Sequence, residues 1–167
     1  MSLAVPIAAS FRFTNPMVEL VLGSVTADQA LLRSRNGEGP SITWHVGHLL
    51  DYRCLALNSL GVAKDSPHKE KFSDQGATDG EGYPSGAELQ QQWTAMAEEI
   101  DAAASGATDE ALNGVAPFPG PHGEQKVLDA MTFFTWHEAY HMGGISAVLK
   151  DLGLPGISEL VMARMAK

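Results

Sequence analysis

The longest helical pattern in the chain, at residues 124–152, carries two histidines in the middle of its apolar stripe. Apolar residues recur there at the spacing of an amphipathic helix; they are Val127, Ala130, Phe134, Ile145, Val148 and Leu152. His137 and His141 share the same arc of the helical wheel. Residues four apart lie one above the other, so both imidazoles can reach one metal ion. The pattern therefore predicts a buried histidine pair that needs hydrogen bonds or a metal.

Three further long segments have helical periodicity, and no segment has the convincing alternation of a strand. The first helix is predicted to begin at the Asn15-Pro16 pair and to stop at Asn36-Gly37. The second is predicted over residues 43–60, and the third from a capping box at Ser85 to about residue 105. A short C-terminal helix is predicted over residues 157–165.

The connections between these helices constrain how they are arranged. A short first connection makes the first two helices antiparallel, whereas the long second one, residues 61–84, allows the second and third helices to run parallel. We therefore predict an all-α protein, with a single domain over residues 1–167. Its architecture is expected to be a four-helix bundle with a long crossover between the second and third helices and a short C-terminal helix.

A histidine of the second helix is the expected third ligand of the candidate metal site. His48 shares an arc with Trp44, Tyr52 and Leu55, on a stripe that faces the core. His45 lies about 60° away on the wheel, nearer the edge of that stripe. His48 is therefore the predicted ligand, with His45 as the alternative. Together with His137 and His141 it would hold one divalent transition metal.

Residues 137–141 also match the HExxH sequence of zinc peptidases. The longer metzincin pattern requires histidine at position 147, where this chain has Ala147. No segment predicts the sheet that would bind a peptide strand. The peptidase hypothesis is therefore disfavoured. Glu138 could still orient a ligand or reach a metal-bound water, or it could be a charge at the boundary of the core.

The remaining histidines and the single cysteine receive no chemical role. His68 and His122 lie in predicted loops and are expected to be exposed, although His122 could line the mouth of a site. Cys54 is expected to be an inert, packed thiol. One cysteine permits no intramolecular disulfide, which favours a reducing, cytoplasmic setting.

The charge balance argues against two classes of partner. Twenty acidic and 11 basic side chains give a net charge of −9, and the basic residues do not cluster. Such a surface repels phosphate backbones and anionic lipids, so nucleic-acid binding is disfavoured. No apolar run approaches the ~18 residues that span a bilayer.

Three stretches of the chain resemble, in order, the DinB-like metal-binding four-helix bundles, whose relatives include the thiol-dependent transferases of bacteria. Residues 41–49, SITWHVGHL, are similar to the family's W-x-x-G-H stretch. Residues 72–76, 83–85 and 88–89 resemble its middle segment, and residues 137–143, HEAYHMG, its HEAYHxGQ signature. The resemblance implies a site formed by His48, His137 and His141, with zinc or nickel bound, in a homodimer. The chain departs from the family at Gly144, where glutamine is frequent.

Three imidazole ligands leave a coordination position open, which is typical of catalytic rather than structural metal sites. The first hypothesis is therefore a metal-dependent enzyme. The resemblance indicates transfer of a low-molecular-weight thiol to an electrophilic small molecule, and a metal-dependent hydrolase is the competing reaction. Glu138, Tyr140 and Asp51 are candidates for orienting ligands or handling protons. A non-catalytic, metal-stabilised binding or sensor module and an accidental histidine cluster in an inert bundle are the other hypotheses.

Overall fold

A computed structural model describes residues 2–72 and 80–166 of the chain. These residues form nine helices, and their only β-structure is two isolated bridges. The helices are α1 (Ala4–Leu22), α2 (Ala27–Leu31), α3 (Ser34–Gly37), α4 (Ile42–Ser59), α5 (Lys69–Phe72), α6 (Gly86–Gly106), α7 (Asp109–Asn113), α8 (Val127–Asp151) and α9 (Ile157–Met165). The all-α prediction is confirmed, and none of these helices is long and apolar enough to cross a membrane.

The long helices α1, α4, α6 and α8 pack as two antiparallel pairs. In the first pair, α4 and α8 run in opposite directions, because His45 contacts His141 whereas Tyr52 contacts Phe133. In the second pair, α1 and α6 do the same. Their direction follows from the ion pair of Arg12 with Asp101 and from a hydrogen bond between the side chains of residues 19 and 94.

Contacts at one end of the bundle fix the relation between the two pairs. The backbone N–H of Leu3, just before α1, donates to the carboxylate of Asp109, just after α6. The N–H of Val127, at the start of α8, donates to the carbonyl of Gly114, which follows α7. The start of α1, the end of α6 and the start of α8 therefore lie together. Since α4 opposes α8, α4 and α6 both end there and run parallel, an arrangement that the long connection allows. The single domain over residues 1–167 stays a prediction.

The predicted boundaries of the first helix are wrong. α1 begins at Ala4, continues through Pro16 and ends at Leu22. A proline inside a helix removes one backbone hydrogen bond and costs about 3 kcal/mol. The apolar side chains before Pro16 offset this cost, because Ile7 and Phe11 are buried in the core. Residues 23–37 contain the short helices α2 and α3 instead of a continuation of α1.

Side-chain caps mark the starts of α4 and α6, where they provide partners for backbone N–H groups. The Ser41 side chain accepts from the backbone N–H of Trp44 at the start of α4. Ser85 and Glu88 form the predicted capping box of α6. α8 begins at Val127, three residues later than predicted, since the preceding Lys126 pairs with Val115 in a β-bridge. α9 has the predicted bounds.

Candidate metal centre

The antiparallel helices α4 and α8 bring three predicted ligands to one place in the core. His48 lies on α4, and His137 and His141 lie one turn apart on α8. All three side chains are buried, with at most 7% of their surface exposed. The apolar stripes predicted from the sequence thus face each other, and the histidines within them meet.

The Nε2 atoms of the three histidines point at one another. Nε2 of His137 lies 3.3 Å from Nε2 of His48 and 3.0 Å from Nε2 of His141. One ligand atom from each residue lies within 4.8 Å of the others, a spacing that could hold a metal ion. Nitrogen atoms bound to one tetrahedral zinc at ~2.1 Å are separated by about 3.4 Å. The observed separations are close to this value, so the donor set fits a divalent transition metal.

The hydrogen bonds of the cluster favour a metal over imidazole–imidazole pairing. Nδ1 of His48 lies 2.7 Å from the carbonyl oxygen of Phe72. A carbonyl can only accept, so His48 carries its proton on Nδ1 and directs the lone pair of Nε2 towards His137. His137 Nε2 faces two imidazoles at once, and a single N–H there can donate to only one of them. A metal ion satisfies all three nitrogen lone pairs together.

Aromatic rings stack on two of these imidazoles and restrict their orientation. Trp44 stacks on His48, with ring centroids 4.6 Å apart and planes 12° apart. Tyr52 stacks on His137, with centroids 4.0 Å apart and planes 27° apart. These contacts restrict ring rotation and exclude water from one side of the cluster, which reduces the entropy that the ligands lose when they bind a metal.

His45, the alternative ligand, lies behind His141 rather than among the converging nitrogens. Its Nδ1 is 2.8 Å from Nδ1 of His141, on the side of that ring opposite Nε2. Burial, with a smaller contribution from the nearby His48, lowers the pKa of His45 to about 4. Burial also lowers the pKa of His141, and His137, His45 and His48 add to the effect. Both rings are therefore neutral at pH 7, the form in which imidazole binds metals.

Gly47 leaves room for the ring of Phe72, whose carbonyl holds His48. A Cβ atom at Gly47 would overlap that ring, and Phe72 is fully buried. We expect Gly47→Ala to destabilise the metal-free protein by about 1–3 kcal/mol, because overpacking must displace the ring or the helix. Denaturant unfolding measures this change. Gly86→Ala is the matched control, since no atom of the described residues lies within 4 Å of its added Cβ; an equal loss there would contradict the steric explanation.

Glu138 takes part in a buried ion pair and does not join the three-histidine group. Its carboxylate accepts from Arg53 Nε at 2.6 Å and from Arg53 Nη2 at 3.1 Å, and also from the hydroxyl of Thr14. Its exposed fraction is 3%, so the expectation of a charge at the core boundary is wrong. Its predicted role at a metal stays a prediction, but these contacts direct both carboxylate oxygens towards α1 and α4.

The other two candidates for proton handling differ in their surroundings. Asp51 is buried, accepts a hydrogen bond from the Ser66 hydroxyl, and has a pKa that burial raises above its usual value despite that bond. Tyr140 is largely exposed and stacks on Trp136, with centroids 5.7 Å apart. Phe133, Trp136 and Tyr140 give α8 an exposed row of aromatic side chains. The homodimer and both residue roles stay predictions.

A cavity of about 210 Å³ lies along α4, and its lining residues do not include His48, His137 or His141. It shares Tyr52 and Phe72 with the surroundings of the histidines, and Asp51 lies in its wall. Its lining combines apolar and charged side chains; the other lining residues are Cys54, Leu55, Asn58, Lys64, Asp65, Ser66 and Lys69. A space of this size, with apolar walls and a few charged groups, can hold a small molecule.

Three residues outside the histidine cluster complete the comparison with the sequence. His68 is half-buried and hydrogen-bonds with Gln92 at 3.0 Å, so its expected exposure is wrong. His122 is exposed, as expected. Cys54 is buried, and burial followed by the Asp51 charge raises its pKa to about 11, so it stays a thiol at neutral pH.

Two parts of the site were missed by the sequence patterns. The Phe72 carbonyl gives no sequence signal, because every residue has one. Arg53 could have been found: it shares an arc of α4 with Val46 and Leu49, both fully buried, so the pattern places a charge within the core. Within the middle segment of the family resemblance, residues 73–76 lie outside the described part of the chain.

The chain matches a known protein family over most of its length. A search of curated proteins finds no match. A family model described as the DinB superfamily matches residues 11–145, which include most of α1, the whole of α4 and α6, and all three converging histidines. Because the match covers well over half of the chain, and because its helices carry the buried histidine cluster, this protein belongs to the DinB superfamily.

Proposed function

We propose that this protein is a metal-dependent enzyme. It binds one divalent transition metal, zinc or nickel, through Nε2 of His48, His137 and His141. The observation that supports metal binding most directly is the convergence of these three buried nitrogens, with distances of 3.3 and 3.0 Å about His137. Membership of the DinB superfamily supports the same assignment. The bond from His48 to the Phe72 carbonyl supplies the orienting contact that metal-binding histidines usually have.

The reaction that we propose is transfer of a low-molecular-weight thiol to an electrophilic small molecule. Held by His48, His137 and His141, a divalent metal would supply Lewis acidity, which would lower the pKa of a bound thiol or water. The chain contributes a dry environment, because Trp44 and Tyr52 cover two of the histidine rings. Hydrolysis of an ester or a related bond is the competing reaction.

The cavity along α4 is the proposed place for the substrate, and Asp51 is the proposed group for moving its proton. One Asp51 oxygen accepts from Ser66, and the other, Oδ2, is buried without a hydrogen-bond partner among residues 2–72 and 80–166. A buried carboxylate oxygen without a partner can accept a proton from a substrate group, and its raised pKa brings it closer to neutral pH. Asp51 would thus act beside the metal without binding it.

Asp51→Asn is expected to lower turnover about 100-fold or more while leaving the metal content unchanged, because general acid–base groups contribute about 10²–10⁴-fold. The measurement compares thiol conjugation and ester hydrolysis by metal-loaded protein across a panel of electrophiles and esters. Asp65→Asn is the matched control, since it removes the same charge from the wall of the same cavity and is expected to change turnover little.

The outcomes of this panel separate the candidate functions. Conjugation without hydrolysis supports the transferase, and hydrolysis without conjugation supports the hydrolase. Metal-loaded protein that does neither, and that loses much of its stability when the metal is chelated, would instead be a metal-stabilised binding or sensor module. Equal losses in Asp51→Asn and Asp65→Asn would remove the proposed role of Asp51.

A further inference from the structure

The contact between His45 and His141 is the least expected feature of the histidine cluster. Both residues are buried, and their Nδ1 atoms lie 2.8 Å apart. Two imidazole nitrogens at this distance share one proton in a hydrogen bond, so one ring donates and the other accepts. The rings meet at a 68° angle with centroids 5.1 Å apart, an edge-on arrangement that suits such a bond.

The convergence of the Nε2 atoms decides the direction of this hydrogen bond. His141 directs Nε2 towards His137 at 3.0 Å, where it is one of the three candidate ligand atoms. A neutral imidazole that offers Nε2 as a lone pair carries its proton on Nδ1. His141 therefore donates from Nδ1, and His45 accepts with Nδ1. His48 makes the equivalent bond to the Phe72 carbonyl, so two of the three candidate ligands are oriented through Nδ1.

Gly144 makes this position of His45 possible. It lies three residues after His141 on α8, and therefore on the same face of the helix. A Cβ at Gly144 would lie 2.7 Å from Cε1 and 3.0 Å from Nε2 of His45. The neighbouring Gly143 differs, since its added Cβ would meet no atom of the described chain within 4 Å. The lack of a side chain thus matters at position 144 and not at position 143.

We propose that His45 is a positioning residue, which fixes the orientation and tautomer of His141. Gly144, which has no side chain, leaves the room on α8 that the His45 ring occupies. This inference rests on the proposed metal site. The inference also accounts for glycine at position 144, where the sequence departs from the family's frequent glutamine. With His45 in its observed place, even one added carbon at Gly144 is too close to the His45 ring. A glutamine side chain there would therefore displace that ring. Positions 45 and 144 are therefore expected to act as a pair.

The test measures zinc binding to metal-free, untagged protein by competition with a chelator, and repeats it with cobalt(II), whose visible absorption reports coordination geometry. His45→Leu removes the acceptor, whereas His45→Asn keeps an oxygen near the place of Nδ1. We expect His45→Leu and Gly144→Ala to weaken zinc binding about 10–100-fold, as loss of a ligand's orienting partner does. His45→Asn and the matched control Gly143→Ala are expected to bind zinc nearly as tightly as the wild type.

The double variant tests whether the two positions act as a pair. Adding Gly144→Ala to His45→Ala is expected to cause no further loss of zinc affinity, because the ring that the added carbon would overlap is gone.

Three outcomes would overturn the inference, and they are distinguishable. Wild-type affinity in both His45→Leu and Gly144→Ala would remove the positioning role and leave the metal site standing. A loss in His45→Asn as complete as in His141→Ala, with a changed cobalt spectrum, would make His45 a ligand. No zinc bound by the wild type would instead reject the proposed function itself. If Gly144→Ala does not fold, the difference in zinc affinity between His45→Leu and His45→Asn still tests the positioning role of His45.

Discussion

Protein with His137→Ala is expected to retain almost no metal through purification, whereas the wild type should retain about one zinc or nickel ion per chain. The expected loss is this large because His137 is the central residue of the cluster. Its Nε2 is the atom that both His48 and His141 approach, at 3.3 and 3.0 Å. Without it, two imidazoles from different helices remain, and two ligands seldom hold a metal stably. Elemental analysis of untagged protein measures the content.

The same variant should lose the stabilisation that a metal gives to the folded state. At a free metal concentration of 100 times the dissociation constant, binding contributes about 2.7 kcal/mol, so zinc should raise the melting temperature of the wild type and not of His137→Ala. His122→Ala is the control, because that histidine is exposed and does not belong to the three-histidine group. No bound metal in the wild type, with no thermal shift on adding zinc or nickel, would favour an inert bundle with an accidental histidine cluster.

The three candidate ligands could be predicted because the period of a helix determines which side chains face the core. His137 and His141 lie on the apolar stripe of α8, and His48 lies on that of α4. Two amphipathic helices in one bundle must bury these stripes against each other, which brings the histidines together without knowledge of any distance. The resemblance to the family then supported the same three residues.

The position of His45 could not be predicted by the same argument. The wheel places it at the edge of the stripe, where a side chain can be exposed. In the structure every residue from 42 to 51 is buried, because α4 packs against α2, α5, α6 and α8. A helix that is covered on all sides has no edge, and a pattern within one helix does not show how many neighbours cover it. The relation between His45 and Gly144 depends on the packing of two helices and required the structure.

The start of α1 was missed for a related reason. Proline at the first helical position is a frequent arrangement, so Asn15-Pro16 is a reasonable starting signal. The structure buries Ile7 and Phe11, which lie before that signal, and tertiary packing of this kind routinely overrides local preference. Elements with strong local signals, such as the Ser85 capping box and the C-terminal α9, were predicted closely.

Arg53→Met is expected to cost about 3–5 kcal/mol of unfolding free energy, because it leaves the Glu138 carboxylate buried without its cation. The side chains of Arg53 and Glu138 are only 1% and 3% exposed, so water cannot replace the lost partner. The guanidinium also lies 3.6 Å from the centroid of the Trp93 ring, a contact that adds to the loss. Denaturant unfolding of the metal-free protein measures the cost separately from any effect on the metal.

The reciprocal change and the double change show what this ion pair contributes. Glu138→Leu alone should be similarly damaging, since it leaves Arg53 buried and unneutralised, whereas Arg53→Met with Glu138→Leu should recover most of the stability, as apolar replacements of buried pairs do. Arg12→Met is the control, because its ion pair with Asp101 is exposed and should cost at most about 1 kcal/mol. Recovered stability and full activity in the double variant would give Glu138 a structural role and exclude the peptidase-like use of its HExxH glutamate. If the double variant instead recovers its stability and binds metal but loses activity, the Glu138 carboxylate takes part in the reaction. That outcome would be unexpected, because the structure directs this carboxylate towards Arg53 and Thr14.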